Sequence, residues 1–284
     1  MTTAYDWAGR VGDSWADEWR RTDLSFADLS IHLNAAILAA APETGKAIDI
    51  GCGAGGTSIA LAAARPGLKI TGVDVAPQLV ATARERGADY ANLRFLAGDA
   101  ATIDQSEVDL FFSRHGVMFF DDPVAAFTAF RRAAAPDAAL VFSCFRPMAL
   151  NPWVTETAAA IGAPLSPPPA PGAEPPPGPF AFADPGRVGR ILAASGWAGE
   201  PRAIDYTYHA GRGEGDGAVD EALALYSRIG PIAQYLSTLD SEVRHSVRDR
   251  LRAFLASKAN DGAVDFPAAA WIWSCRPAGK GETA

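Results

Sequence analysis

Short apolar runs alternate with amphipathic stretches through the first half of the chain. Five runs predict buried strands, at residues 46–50, 68–73, 93–96, 108–113 and 139–145. The helical spacing of apolar positions between them predicts helices at 57–64, 77–86 and 123–135. Pro77 and Pro123 suit the first turn of a helix, and Asp121 and Asp122 precede Pro123 as capping residues. This β-α-β-α order indicates a parallel sheet covered by helices.

The same pattern resumes later in the chain. It predicts helices at 187–194, 219–229 and 240–257, and strands at 203–209 and 269–275. We therefore predict an α/β fold: a doubly wound, Rossmann-like, seven-stranded and mostly parallel sheet with helices on both faces. The two helices between the last two strands predict a helical cap insertion.

Six segments follow from this pattern. They are an N-terminal helical cap segment (1–44), a binding core (45–150), a Pro-rich loop or flap (151–183), a continuation of the core (184–210), a helical cap insertion (211–262), and the last strand with a tail (263–284). Nine prolines lie between Pro164 and Pro179. Such a stretch forms neither a helix nor a central strand, and it is either a surface linker or a flap over a site.

Composition narrows the class of protein. The 284 residues carry a net charge of −8 and are 49% hydrophobic. The negative charge disfavours a nucleic-acid partner. No apolar run reaches the roughly 20 residues that span a bilayer, and the first residues do not resemble a secretion signal, so we expect a cytoplasmic protein. Three scattered cysteines predict neither a disulfide framework nor a metal site.

The strongest chemical signal is a glycine loop after the first strand. Gly51, Gly53 and Gly56 fit the G-x-G-x-x-G spacing of dinucleotide-binding proteins, and glycines let a ligand approach the backbone closely. Asp49 lies two residues before this loop. A carboxylate there suits a cofactor that carries an ammonium or sulfonium group better than a diphosphate. An NAD-dependent oxidoreductase is therefore the less favoured enzyme.

Two further acids follow the next two strands. Asp74 ends the second strand, where it could accept hydrogen bonds from ribose hydroxyls, or simply cap a helix. Asp99 follows the third strand, where it could accept from the amine of adenine while the Ala100 N–H donates to a ring nitrogen. Because open α/β sheets bind ligands at the carboxyl ends of their strands, these acids predict a nucleoside site.

The combined pattern resembles a known family. Asp49-x-Gly51-x-Gly53-x-Gly55, Asp74 and Gly98-Asp99-Ala100 resemble the class I S-adenosylmethionine-dependent methyltransferases. Two stretches, 113–123 and 134–142, resemble the ubiquinone/menaquinone-biosynthesis-type branch of small-molecule methyltransferases. The resemblance is specific over residues 45–150.

This resemblance implies S-adenosylmethionine as cofactor and S-adenosylhomocysteine as product. The residues that it implies around the cofactor are Asp49, Gly51, Cys52, Gly53, Asp74, Val75, Asp99, Ala100, Ser113 and Arg114. It also implies methyl transfer to oxygen, nitrogen or carbon of a small, hydrophobic or aromatic molecule. A non-catalytic S-adenosylmethionine-binding regulator would show the same motif, and a nucleic-acid methyltransferase is a weaker option. A monomer and a homodimer are both open.

The sequence gives weaker evidence for the residues that would bind the methyl acceptor. His115 stands where family members often have an aromatic residue, and it is either a catalytic base or a structural histidine at the pocket edge. Trp15 and Trp19 lie one helical turn apart in the predicted N-terminal helix and are either core or pocket residues. The remaining predicted pocket residues, assigned to the cap, are Trp153, Tyr226 and Tyr235.

Overall fold

A computed structural model describes residues 9–165 and 174–279 of the chain. The strands are β1 (Gly45–Ile50), β2 (Leu68–Asp74), β3 (Leu93–Ala97), β4 (Val108–Arg114), β5 (Ala134–Phe145), β6 (Trp197–Arg212), β7 (Ala259–Asn260) and β8 (Ala263–Pro277). The helices are α1 (Arg10–Asp17), α2 (Trp19–Ser25), α3 (Ala27–Ala40), α4 (Gly56–Ala64), α5 (Pro77–Arg86), α6 (Pro123–Ala133), α7 (Pro152–Ile161), α8 (Pro185–Ala194), α9 (Gly217–Arg228), α10 (Gly230–Ser237) and α11 (Ser241–Lys258).

The strands form one sheet in the order β3-β2-β1-β4-β5-β8-β6, with the two-residue β7 paired to β8. Strands β1 to β5 are parallel, and β8 runs antiparallel between β5 and β6. The predicted doubly wound, mostly parallel α/β fold is thereby confirmed. The chain winds outward from β1 to β3 and then returns to place β4 on the other side of β1. The carboxyl ends of β1 and β4 flank this switch point, where such sheets open a crevice.

Two boundaries in the middle of the chain differ from the prediction. Helix α6 ends at Ala133 rather than 135, because Ala134 already pairs with Val108 of β4 before a register shift leads into the rest of β5. The start of the predicted Pro-rich loop is the helix α7. Pro152 occupies its first turn, and Trp153 lies on its buried face. Residues 166–173 of the Pro-rich stretch lie outside the described part, so the flap stays a prediction.

The predicted number of helices in the cap insertion, two, is wrong. Three helices, α9, α10 and α11, separate β6 from the last strands. Ile232 and Leu236 form the buried face of α10, a helix too short for its pattern to stand out in the sequence. Strands β6 and β8 also extend well beyond their predicted cores, because they pair with each other along almost their whole length. The domain boundaries themselves stay predictions.

The N-terminal region is helical as predicted, from Arg10 to Ala40, but in three helices. Trp15 belongs to α1 and Trp19 to α2, so the two do not share one continuous helix. Helix α3 packs Leu29 and Leu33 into the core with no exposed surface. No helix within residues 9–165 and 174–279 is long and apolar enough to cross a membrane.

Candidate active site

The loop after β1 owes its shape to glycines. Gly51, Gly53 and Gly55 have φ values of +65°, +53° and +82°, in the left-handed region that other residues adopt at a cost. Asp74, at the end of β2, braces this loop: its carboxylate accepts hydrogen bonds from the N–H groups of Gly53 (2.8 Å) and Ala76 (2.9 Å). The backbone of this loop therefore lies beside an acid at the carboxyl edge of the sheet.

The two acids nearest the loop are held in low-polarity surroundings. Asp49 is buried, and its carboxylate accepts a hydrogen bond from Ser58 Oγ at 2.6 Å. Burial raises the pKa of Asp49 to about 7, although the Ser58 bond opposes the shift. Burial also raises the pKa of Asp74, against the backbone N–H bonds that favour its charge. A cationic ligand would relieve both penalties.

Asp99 is placed differently from these two acids. Its side chain is exposed, and one carboxylate oxygen accepts from the Ala101 N–H at 2.8 Å, starting a 3-10 turn at Ala100. Asp99 and Ala100 both line the cavity described below, where the carboxylate has further lone pairs to offer a ligand.

The ends of β1 and β4 pack closely together at a strand junction. Ser113 Oγ donates to the Ile50 carbonyl at 2.6 Å and accepts from the Gly116 N–H at 3.1 Å. Any Cβ at position 116 would lie 2.6 Å from that carbonyl oxygen and 3.1 Å from Gly51 Cα, so only glycine fits. Ser113 is fully buried and does not line the cavity. Its hydroxyl is used inside the strand junction, and its predicted place beside the cofactor stays a prediction.

An ionic bridge ties the N-terminal helices to this junction. Asp23 of α2 receives hydrogen bonds from Arg86 Nη2 and Arg114 Nη2, each at 2.7 Å. Arg86 also donates to the Ala54 carbonyl of the glycine loop (2.7 Å), and its guanidinium lies 3.7 Å from the centre of the Trp19 ring. The arrangement holds α2 over the loop. Asp23 and Arg86 were not predicted, since nothing in the local sequence of α2 or α5 marks them.

These elements enclose a cavity of about 600 Å³, within the range of roughly 300–1,000 Å³ common for small-molecule sites. The predicted residues that line it are Asp49, Gly51, Cys52, Gly53, Asp74, Val75, Asp99, Ala100, Arg114, His115, Trp15, Trp19, Trp153 and Tyr226. Tyr235 does not line it. It lies half-buried in the second half of α10, whereas the cavity is reached by the first half, through Ile232.

Five aromatic rings form one face of the cavity, and we call them the aromatic cluster: Phe26, His115, Phe145, Trp153 and Tyr208. His115 stacks on Phe145, and Trp153 stacks on Tyr208 with ring centres 4.7 Å apart. Phe26 lies 5.0 Å from His115 and 5.9 Å from Tyr208. Phe26, between α2 and α3, Phe145 of β5 and Tyr208 of β6 were not predicted, because such residues are typical of a buried core.

His115 is the unusual member of this cluster. Its φ is +60°, and it is 8% exposed. Within residues 9–165 and 174–279, neither Nδ1 nor Nε2 has a hydrogen-bond partner. Burial, with a smaller contribution from the neighbouring Arg114 charge, lowers the pKa of His115 to about 3. The imidazole is therefore neutral at physiological pH, with both nitrogens available to a bound molecule.

The charges along the cavity are strongly unbalanced. Of the lining residues that the structure describes, one is a basic residue with a fixed charge, Arg114, and its guanidinium is paired with Asp23. The acids that line the cavity are Asp23, Asp49, Asp74, Asp99, Asp121 and Asp122. The resulting field favours cationic and neutral ligands over anionic ones.

Sequence comparison agrees with this geometry. Residues 48–142 match a family model described as a methyltransferase domain. The chain is 31% identical over 102 residues to malonyl-[acyl-carrier protein] O-methyltransferase of Xylella fastidiosa (strain M23), covering 35% of each protein. It is 35% identical over 107 residues to trans-aconitate 2-methyltransferase of Rhizobium meliloti (strain 1021), covering 37% of this chain and 40% of that protein. The match thus spans well under half the length of these relatives.

Solved structures resemble the chain over much more of its length. The YcgJ protein of Bacillus subtilis superposes with a TM-score of 0.56 at 16% identity, covering 88% of this chain and 99% of that one. Phosphoethanolamine N-methyltransferase 2 of Haemonchus contortus, solved with S-adenosyl-L-methionine, gives a TM-score of 0.55 at 17% identity and covers 99% of this chain and 61% of that one. At these identities the likeness concerns the fold. The predicted methyltransferase domain is confirmed by the family match.

Proposed function

We propose that this chain, whose residues 48–142 form a methyltransferase domain of the class I S-adenosylmethionine-dependent type, transfers a methyl group to a small apolar or aromatic molecule. The observation that carries the proposal is one cavity with two unlike ends. Its polar end is the glycine loop with Asp49 and Asp74, and its other end is the aromatic cluster. A cofactor and an acceptor can therefore meet inside one enclosed space.

At the polar end, we assign the cofactor to the predicted residues that line the cavity: Asp49, Gly51, Cys52, Gly53, Asp74, Val75, Asp99, Ala100 and Arg114. Added Cβ atoms at Gly53 and Gly98 would meet nothing within 4 Å, so the backbone there is open to a ligand. Asp74 has carboxylate lone pairs left for ribose hydroxyls beyond its two backbone bonds. The acids at this end suit a cofactor with an ammonium and a sulfonium group.

When bound, S-adenosylmethionine supplies a methyl group on a cationic sulfur, and transfer to an acceptor breaks the carbon–sulfur bond, giving S-adenosylhomocysteine, the methylated acceptor and, from an O–H or N–H acceptor, one proton. The protein's part is to align the two reactants and exclude water. Trp15 and Trp19 help to enclose the cavity from the N-terminal side. Arg114, held by Asp23 at 2.7 Å, fixes the end of β4 beside the loop.

His115 is our candidate for the group that faces the acceptor. It follows β4, and its neutral ring nitrogens can accept or donate a hydrogen bond. Because its pKa is lowered to about 3, the imidazolium form is disfavoured. We therefore assign His115 to orienting the reacting group through a hydrogen bond, rather than to taking up its proton.

The acceptor is proposed to be small and apolar or aromatic because the end that receives it is built from rings. Tyr226 and Trp153 border it, with the Tyr226 hydroxyl donating to the Trp153 carbonyl at 2.8 Å. A protein that only binds the cofactor would have no use for this second space. The cavity beside His115 therefore supports transfer over a purely regulatory role.

The test is transfer of a labelled methyl group from S-adenosylmethionine to a panel of small phenols, enols, amines and carboxylates, with trans-aconitate, the acceptor named for a relative, among them. We expect labelled product from at least one apolar acceptor and S-adenosylhomocysteine in equal amount. A protein that binds S-adenosylmethionine but methylates no small molecule would contradict the proposal.

A further inference from the structure

The ring nitrogens of His115 carry an unmet requirement for hydrogen bonds. A neutral imidazole has one N–H donor and one acceptor nitrogen, and neither has a partner among the residues that the structure describes. Among the cavity-lining residues described by the structure, only His115 has buried side-chain polar atoms in this state. Since buried polar groups are nearly always satisfied, the partner of His115 is expected to come from the ligand.

The position of His115 indicates which part of a bound ligand would supply this hydrogen-bond partner. Gly116 packs against Gly51 of the glycine loop, while the His115 ring stacks on Phe145 in the aromatic cluster. The ring thus stands where the polar and aromatic ends of the cavity meet. Its φ of +60° is a conformation that non-glycine residues seldom adopt, and residues held in this way concentrate at functional sites.

The charges at this point disfavour an anionic acceptor. The guanidinium of Arg114 is already paired with Asp23, and six aspartates that line the cavity would repel a carboxylate. A neutral hydroxyl can pair with either nitrogen of the His115 ring, because it can donate to the unprotonated nitrogen or accept from the ring N–H.

On the basis of the proposed function, we infer that the acceptor is a neutral aromatic compound whose reacting hydroxyl hydrogen-bonds to His115, with its ring against the aromatic cluster. His115 is then the residue that distinguishes a hydroxyl from a carboxylate or a bare hydrocarbon. A buried group built to pair with a hydroxyl discriminates against analogues that lack it, because they leave the group unsatisfied.

The experiment measures binding and needs no turnover. The protein is saturated with S-adenosylhomocysteine and titrated calorimetrically with three probes of similar shape: 4-ethylphenol, 4-ethyltoluene and 4-ethylbenzoate. We expect 4-ethylphenol to bind about tenfold more tightly than either of the others. In His115→Phe, which keeps the ring stack and removes both nitrogens, its advantage over 4-ethyltoluene should fall below about twofold. The matched control His245→Phe, at a histidine exposed on α11, should keep the tenfold difference.

Three results would overturn the inference: 4-ethylbenzoate binding as tightly as the phenol, 4-ethyltoluene binding as tightly as the phenol, or no detectable binding of 4-ethylphenol. An undiminished preference in a folded His115→Phe protein would do the same, and if that variant does not fold, the order of the three probes on the wild type decides. Binding of S-adenosylhomocysteine is measured first. Its absence is a failure of the proposed function, whereas its presence with the wrong probe order is a failure of this inference alone.

Discussion

The imidazole of His115 and the ring of Phe145 lie face to face, with centres 4.1 Å apart and planes inclined by 10°. His115 follows β4 and Phe145 ends the neighbouring strand β5, and the His115 N–H donates to the Ser143 carbonyl at 3.2 Å. The stack therefore fixes a polar ring at the carboxyl edge of the sheet. Phenylalanine would make the same stack, so packing alone does not explain why a histidine stands there.

Stability in mild acid should report on His115. The pKa of His115 is about 3 in the folded protein, against about 6.5 in an unfolded chain. Below pH 6.5, the unfolded state therefore binds a proton at this residue that the folded state does not bind. The stability linked to the neutral ring is present above pH 6.5 and is lost as the pH falls from there towards 3. Between about pH 7.5 and 5 the free energy of unfolding should fall by up to about 2 kcal/mol more in the wild type than in His115→Phe. Denaturant titrations of both proteins measure this difference, and parallel pH curves would show that His115 is not buried and neutral.

Removal of the Asp74 carboxylate should weaken cofactor binding. Asp74→Ala removes the proposed ribose contacts and the braces of the glycine loop at Gly53 and Ala76. Hydrogen bonds to a charged group contribute about 1.5–3 kcal/mol each, so we expect at least about a tenfold higher dissociation constant for S-adenosylhomocysteine. Asp89→Ala, at an exposed acid outside the cavity, is the control. An unchanged dissociation constant in folded Asp74→Ala would disprove the assignment.

The bridge at Asp23 should control closure of the N-terminal helices. Asp23→Asn weakens the pairs with Arg86 and Arg114, so α2 should be held less firmly over the glycine loop. We expect the dissociation constant of S-adenosylhomocysteine to rise about fivefold to tenfold and proteolysis within residues 10–26 to accelerate. Asp17→Asn is the control, because Asp17 forms an exposed pair with Arg228 of the kind that contributes little. Equal behaviour of the two variants would mean that the bridge does not hold the helices.

Cofactor binding should release a proton near neutral pH. Asp49, with a pKa of about 7 in the empty protein, is largely protonated at pH 6, and a cationic ligand favours its ionised form. The affinity for S-adenosylmethionine should therefore rise up to about tenfold between about pH 6 and pH 7.5. Calorimetry in two buffers of different ionisation enthalpy measures the proton. The proton and the pH dependence should both be absent in Asp49→Asn, and their persistence there would assign the titration to another group.

The polar end of the site could be predicted from sequence because its chemistry lies in short contiguous stretches. Asp49 lies near the end of the first predicted strand, just before the glycine loop, and Asp74 and Asp99 follow the next two strands. Parallel strands bring their carboxyl ends to one edge of the sheet. Asp122 is the helix cap that its place before Pro123 predicts, accepting from the Ala125 N–H at 2.9 Å. The roles assigned to these residues remain predictions.

The other end of the site depends on contacts between distant parts of the chain. Phe26 and Tyr208 are 182 positions apart in sequence, and their rings are in contact in the fold, where β6 pairs with β8. Tyr235 illustrates the converse. Its aromatic character and its place in the predicted cap indicated a pocket residue, but only the first half of α10 reaches the cavity. Likewise, the motif around Ser113 does not show that its hydroxyl bonds across the contact between β1 and the end of β4.

Calorimetric titration of the purified protein with S-adenosylmethionine, S-adenosylhomocysteine and NAD, side by side, tests which cofactor the glycine loop binds. We predict binding of both sulfur nucleosides at micromolar concentration and none of NAD, because Asp49 and Asp74 favour a cation beside the glycine loop over a diphosphate. Binding of NAD without binding of either sulfur nucleoside would contradict the account and assign the loop to a dinucleotide.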